Sequence, residues 1–155
     1  AEMATTHGGC VKVRVVNGTD LVIRDRWRRS SDPYVILKLG STEMGRTSIA
    51  KANLHPTWNE EFVFLITEAN CLLKLEIWDH DTIRDDKMGN AEIDLKPLME
   101  NEAKLERMVS PSKEKCLYKD SNIVKCNGKK TMQEACLKLR GVEKGLLTLQ
   151  FEWPV

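Results

Sequence analysis

Two short stretches of the chain carry residue types that could do chemistry. In Asp79-His80-Asp81-Thr82-Ile83-Arg84-Asp85-Asp86-Lys87-Met88-Gly89, four carboxylates fall within eight residues, directly after an apolar run. Asp79 and Asp81 face the same side if extended geometry continues past Trp78. In Arg24-Asp25-Arg26-Trp27-Arg28-Arg29-Ser30-Ser31-Asp32-Pro33-Tyr34, a carboxylate stands towards each end. Alone, Asp32-Pro33 reads as an ordinary turn that starts a strand. Carboxylates gathered closely repel one another, which raises their pKa values or destabilises the fold unless a cation sits among them. A hard cation is the economical answer. Calcium accepts about six to eight oxygens at roughly 2.3–2.6 Å in irregular geometry, whereas magnesium demands a tighter octahedron and usually a phosphate. No EF-hand spacing is present, so the site would be assembled from two loops distant in sequence. The competing reading is a solvated acidic turn neutralised by Arg84 and Lys87.

The elements that must position these loops are read from hydrophobic period. Val11, Val13 and Val15 alternate with Lys12 and Arg14, the signature of a half-buried strand. The same rhythm recurs at Tyr34 to Leu39, Glu61 to Thr67, Leu73 to Trp78, Ala91 to Lys96 and Leu147 to Trp153, and more weakly at Met44 to Ala50 and Gln133 to Leu139. Eight short antiparallel strands separated by turn residues predict an all-β fold, an eight-stranded β-sandwich. Between Pro97 and Lys130 the rhythm stops; Leu98 to Met108 could hold a helical turn or two. This basic insertion, about residues 97–130, precedes the last two strands. It carries Lys104, Arg107, Lys113, Lys115, Lys119, Lys125, Lys129 and Lys130 against few acids. It reads either as a solvated surface or as a partner surface built on Lys104, Arg107, Lys113, Lys115, Lys125 and Lys129.

The 155 residues suit one domain, and 24 basic against 23 acidic residues leave a net charge of only +1. Attraction to a polyanion must therefore come from a local patch. The longest apolar run, Phe62 to Ile66, falls far short of the roughly 20 residues that cross a bilayer. Residues 1–8 read as a disordered tail, with Ala1-Glu2 before Met3 set aside as a cloning remnant and no signal sequence evident. Five cysteines without a CxxC pair suggest reduced, packed thiols in the cytoplasm and argue against structural zinc. Of the histidines, His7 lies in the tail, His55 precedes a proline, and His80 alternates away from Asp79 and Asp81. No nucleophile elbow, P-loop or metalloprotease motif exists, so catalysis is not expected. Nucleic acid is not an expected partner, because no recognition motif or basic aromatic face is visible.

Taken together, Ser31-Asp32-Pro33-Tyr34-Val35, Asn53-Leu54-His55-Pro56-Thr57-Trp58-Asn59-Glu60-Glu61-Phe62, Trp78-Asp79-His80-Asp81 and Asp85-Asp86-Lys87-Met88-Gly89 resemble a C2 domain over residues 9–153. Asn127-Gly128-Lys129, Leu137 to Glu143 and Gln150-Phe151-Glu152-Trp153 narrow this. They resemble the plant C2-domain abscisic-acid-related proteins, small single-C2 proteins. The C2 part is similar also to that of plant GTPase-activating proteins for ADP-ribosylation factor, whose zinc-bearing catalytic domain has no counterpart here. The resemblance implies the permuted, type II strand order. It implies calcium ligands at Asp25 and Asp32 in the first loop and at Asp79, Asp81 and Asp86 in the third. Asp86 is preferred because the family aspartate lies three residues before the glycine, here Gly89; Asp85 is the substitute.

Trp27, flanked by Arg26, Arg28 and Arg29, would rest at a lipid interface with guanidiniums on phosphates, or else fold back on the sandwich. Ile83 is a second insertion candidate, whereas Trp58 and Trp153 read as core. Lys38, Arg46 and Lys51 lie on neighbouring strands where C2 domains often present a basic patch for polyphosphoinositides; scattered surface charges are the alternative. The expected function is calcium-dependent binding to anionic phospholipid membranes by a peripheral adaptor. The resemblance adds recruitment of signalling partners, such as abscisic-acid receptors, to the plasma membrane, with cytoplasm and nucleus as further compartments. The rival is a calcium-independent interaction module that uses the basic insertion.

Overall fold

The computed structural model describes residues 8–99, 117–119, 123–126 and 130–155. Its strands are β1 (Gly8–Thr19), β2 (Pro33–Leu39), β3 (Thr42–Arg46), β4 (Thr57–Thr67), β5 (Leu72–Asp79) and β6 (Asp86–Asp94). One helical turn, α1 (Lys96–Met99), follows, and then β7 (Leu117–Lys119), β8 (Ile123–Cys126), β9 (Lys130–Lys138) and β10 (Leu146–Trp153). Every pairing is antiparallel. One sheet runs in the order β4-β1-β10-β9-β7, with β8 also on β9, and the other in the order β3-β2-β5-β6.

The alternating residues make this a sandwich because each strand hides one face. Val11, Val13 and Val15 are fully buried, and β5 and β10 alternate buried and half-buried positions throughout. Facing side chains from both sheets, among them Leu37, Leu75, Ile77, Leu149 and Phe151, form one core. Trp58 and Trp153 lie in it, as expected. β2 departs from alternation: Tyr34, Val35, Ile36 and Leu37 are all buried. It is flanked by β3 and β5, and the Arg46 guanidinium lies over the Tyr34 ring at 5.7 Å.

Several boundaries differ from the periodic reading: β4 starts at Thr57 and β6 at Asp86, ahead of the expected Glu61 and Ala91, and Lys96 begins α1 instead of ending a strand. The Met44 to Ala50 strand is instead β3, which ends at Arg46. There the buried Thr47 side chain replaces a ladder bond: Thr47 Oγ1 accepts the Val35 N–H at 2.9 Å while the Thr47 N–H donates to Val35 O at 2.9 Å. Gly8, placed in the tail by sequence, already pairs with Thr67. Two short strands, β7 and β8, pair with β9 inside the stretch where strand rhythm stops. Most of the 97–130 stretch, including Lys104, Arg107, Lys113, Lys115 and Lys129, lies outside the described residues; Lys125 is described only by its backbone, on β8 opposite Thr131.

The register fixes where function can sit. Pro33, the first residue of β2, stands opposite Asp79, the last of β5, and Asp79 stands opposite Asp86, the first of β6. The β1–β2, β3–β4 and β5–β6 connections therefore emerge at one end of the sandwich. Gly89 is needed just beyond: its φ is +111°, and a Cβ there would meet Val142 Cγ2 at 2.9 Å and Leu139 Cβ at 3.1 Å.

One core position is mismatched. Gln133 is 2% exposed, in line with Phe151 on the neighbouring strand, and neither amide atom has a hydrogen-bond partner. Unsatisfied buried polar atoms cost about 1–3 kcal/mol. Gln133→Met, close in volume, is expected to stabilise the protein by about 1 kcal/mol, a rise of roughly 2–4 °C in Tm. Thermal and urea unfolding of the two proteins side by side checks this, and an unchanged or lower midpoint contradicts it.

Candidate functional site

The first loop is shaped by its own short polar side chains. Ser31, buried, donates from Oγ to Val22 O at 2.8 Å and accepts the Arg24 N–H at 2.8 Å. Asp25 and Ser30 form an isolated antiparallel bridge, and Asp25 Oδ1 accepts the N–H groups of Trp27 (3.0 Å) and Arg28 (3.1 Å). An aspartate that caps the amides two and three residues ahead folds the chain back into a tight tip. Arg29 completes it with a φ of +50°.

Asp32 ties this loop to its neighbours. Its Oδ1 accepts the Ala52 N–H from the β3–β4 connection at 2.7 Å, its own N–H donates to Asp79 Oδ1 at 2.7 Å, and its carbonyl accepts the His80 N–H at 2.9 Å. Arg24 adds a further tie, donating from Nε to Lys87 O at 2.9 Å. Rigid strand ends thus hold the loop bases, while the tips project.

Between the first and third loops lies a cavity of about 530 Å³. Asp25, Asp32, Asp79 and Asp81 line it, and so do Arg24, Arg26 and Arg28, with Trp27, His80 and Thr82 completing the wall. Four of the five aspartates singled out by sequence thus share one basin. Asp86 does not line it, but sits opposite Asp79 in the ladder and within electrostatic reach of it. Asp85 is committed elsewhere: it accepts from the Tyr34 hydroxyl and, through Oδ1, from the Asp81 N–H at 3.0 Å. The Tyr34 hydrogen bond, followed by the Asp81 amide, holds the Asp85 carboxyl below the usual range. Tyr34 is pushed up to about 12, by burial first and then by Asp85.

Asp79 is the electrostatic centre. It is only 5% exposed, and burial raises its pKa; the Asp32 amide opposes this, and the charges of Asp32, Asp86 and Asp81 add to the rise. Apart from the His80 imidazole, the basin's donors are hard oxygens, the type that suits calcium. Among the described residues, no three carboxylate, histidine or cysteine side chains converge closely enough to grip an ion as they stand. Asp25, Asp32 and Asp79 are turned to protein N–H groups instead, so ion binding would need the side chains to reorient.

Sequence reasoning missed three features. His80 was expected to alternate away from Asp79 and Asp81, yet it lines the same basin, because β5 ends at Asp79 and strict alternation ends with it. Arg26 and Arg28, expected only as lipid contacts, both line the acidic basin, and so does Arg24, for which spacing predicts no role. Asp85 was a substitute ligand, and its bond to Tyr34 had no signal in spacing alone. The outward residues are clearer. Trp27 is 98% and Ile83 93% exposed, so the indole does not fold back on the sandwich. Arg26, Arg28, Arg29 and Lys51 are exposed. Lys38 pairs with Glu76 at 3.2 Å, and Arg46 is held by two Glu43 oxygens at 2.8 and 2.6 Å, so both cations face internal carboxylates.

A sandwich with facing loops of this make-up is the C2 architecture, and the C2 domain profile matches residues 9–109. The chain belongs to the C2 domain family, within the C2-domain ABA-related group of single-C2 proteins. It is 41% identical to GTPase activating protein 1 of Oryza sativa subsp. japonica, the match covering 94% of this chain and 91% of that protein. It is 39% identical to Protein C2-DOMAIN ABA-RELATED 3 of Arabidopsis thaliana, covering 94% and 90%. Its fold is similar to the calcium-bound tandem C2 domains of Extended-Synaptotagmin 2, with a TM-score of 0.67 and 24% identity. That match covers 94% of this chain and 45% of the two-domain structure.

The raised Asp79 pKa has a definite sign. A carboxyl that binds its proton more tightly when folded favours the native state at low pH and loses that contribution as pH rises through the folded pKa. In excess chelator, Asp79→Asn should therefore melt higher than the parent at pH 7, with the gap closing as pH falls towards 4. Melting curves across that range test this; a variant less stable at pH 7 would contradict it.

Proposed function

We propose that this C2 domain docks on anionic phospholipid membranes when calcium enters the basin between the first and third loops. The observation that carries this reading is that Asp25, Asp32, Asp79 and Asp81 line one open cavity together with the almost fully exposed Trp27, while Ile83, next in sequence to the lining Thr82, is almost fully exposed as well. These four aspartates, with Asp86 beside Asp79, would hold the ion, which supplies positive charge where the carboxylates otherwise repel phosphate. The chain's own residues do the rest. Trp27 and Ile83 lie at the level of the acyl boundary, and Arg26, Arg28 and Arg29 meet phosphate oxygens. Lys38, Arg46 and Lys51 are a secondary contact, since two of the three already face glutamates.

The protein then acts as a peripheral adaptor without catalysis of its own, moving between cytoplasm and plasma membrane. The relatives' names support a role in abscisic-acid signalling, with abscisic-acid receptors as candidate partners. The basic insertion would be the surface they meet. No helix among the described residues is long and apolar enough to cross a membrane, in keeping with attachment from one side. A second reading, a calcium-independent interaction module, is favoured by one observation: three arginines share the basin with the four carboxylates.

Sedimentation with phosphatidylserine-containing vesicles separates the two. Calcium should bring the protein down with the vesicles, and Asp81→Asn should weaken this by about tenfold or more, since affinity follows ligand charge, with melting in chelator unchanged. Equal pelleting with and without calcium would favour the module. Trp27→Ala should cut vesicle affinity by roughly tenfold, about 1.4 kcal/mol, while leaving calcium binding in solution intact. An unaltered vesicle affinity would remove Trp27 from the docking surface.

A further inference from the structure

The basin holds cations as well as carboxylates, and one of them is aimed at a named oxygen. Asp25 Oδ1 is occupied by the Trp27 and Arg28 amides, and its other oxygen, Oδ2, faces Arg28 Nε at 3.8 Å. The same short turn that orients the Asp25 carboxylate therefore brings back the guanidinium of the residue three positions on. The Arg28 side chain is 77% exposed, on a projecting tip, so what faces it is the Asp25 carboxylate and not the packed interior. Arg24 differs, because its Nε is fixed on Lys87 O at the base of the loop.

We infer that Arg28 is a tethered counter-ion. It neutralises Asp25 while the basin is metal-free, must leave for calcium to enter, and is then free to bind a lipid phosphate. The inference rests on the calcium reading proposed above and adds a regulatory step to it. Two positive charges cannot share Asp25 without repulsion, so the guanidinium raises the calcium concentration at which the basin fills. Once displaced, the same guanidinium is a forked phosphate donor at the membrane-facing tip. An anionic surface that captures it removes the competitor from Asp25, so calcium and membrane strengthen each other's binding. A phosphate-bearing surface thus lowers the calcium threshold through one side chain.

The test uses the full chain and two probes: calcium chloride alone by titration calorimetry, and calcium with phosphatidylserine–phosphatidylcholine vesicles. Arg28→Gln should bind calcium alone about three- to tenfold more tightly than the parent, and Arg28→Lys should stay near the parent because it keeps the charge. Vesicles should lower the calcium requirement of the parent by a larger factor than that of Arg28→Gln. Measurable binding by Arg28→Gln where the parent shows none would support the same conclusion. If Arg28→Gln binds calcium alone equally or more weakly, the counter-ion role is overturned and the calcium reading stands. If neither protein binds calcium alone or with vesicles, the calcium reading itself falls and this inference with it. Melting in chelator verifies that the variants are folded; an exposed ion pair of this kind contributes little to stability.

Discussion

The hydrogen bond from the Asp32 N–H to the buried Asp79 carboxylate, 2.7 Å long, is the contact on which the rest of this end of the molecule depends. It joins the first loop to the last residue of β5, and the return bond from the His80 N–H to Asp32 O makes the junction reciprocal. Asp32 in turn receives the Ala52 amide, so three connections are fixed through one residue. Keeping a carboxylate almost fully buried is costly, and the neighbouring aspartates increase that cost, as its raised pKa records. The sandwich behind it, packed from both sheets, supplies the stability that lets such a group persist.

Around that junction the chain offers charges of both signs. Close aspartates were expected to need a foreign cation. The structure modifies this, because Arg24, Arg26 and Arg28 stand in the same basin as Asp25, Asp32, Asp79 and Asp81. Arg24 is tied down and belongs to the scaffold; Arg26 and Arg28 sit on the tip. A basin of nearly balanced charge can remain folded without an ion while still presenting oxygen donors to one. That combination suits a reversible switch better than a permanently filled structural site.

Most of the architecture was legible because its cause is local. Alternating Val11, Val13 and Val15, or Leu147, Leu149, Phe151 and Trp153, can hide only one face of a strand, and the turn residues between the runs limit their length. What was not legible arises where a side chain substitutes for backbone. Thr47 ends β3 by bonding Val35 in place of the ladder, and Ser31 and Asp25 fold the first loop through their own oxygens. The carboxylates likewise divide by partner rather than by spacing. Asp85 and Asp86 are adjacent, yet one is taken by Tyr34 across the sheet and the other begins β6 opposite Asp79. Nothing in the sequence orders Tyr34 and Asp85 into contact, because that contact needs the β2–β5–β6 register to exist first.

The same register explains why the basic residues of β2 and β3 differ from those of the loop tip. On a sheet, each cation stands beside fixed neighbours: Lys38 lies on β2 next to β5, within reach of Glu76, and Arg46 meets Glu43 within β3. Pairing of this kind, across strands for Lys38 and within one strand for Arg46, consumes the charge that a flat basic patch would need to display. At the tip there is no neighbouring strand, so Arg26, Arg29 and Trp27 project from backbone held only at its base. Under the proposed reading, membrane selectivity therefore resides in the loops. The sheet contributes what a loop cannot, a rigid frame that keeps both tips beside one acidic basin.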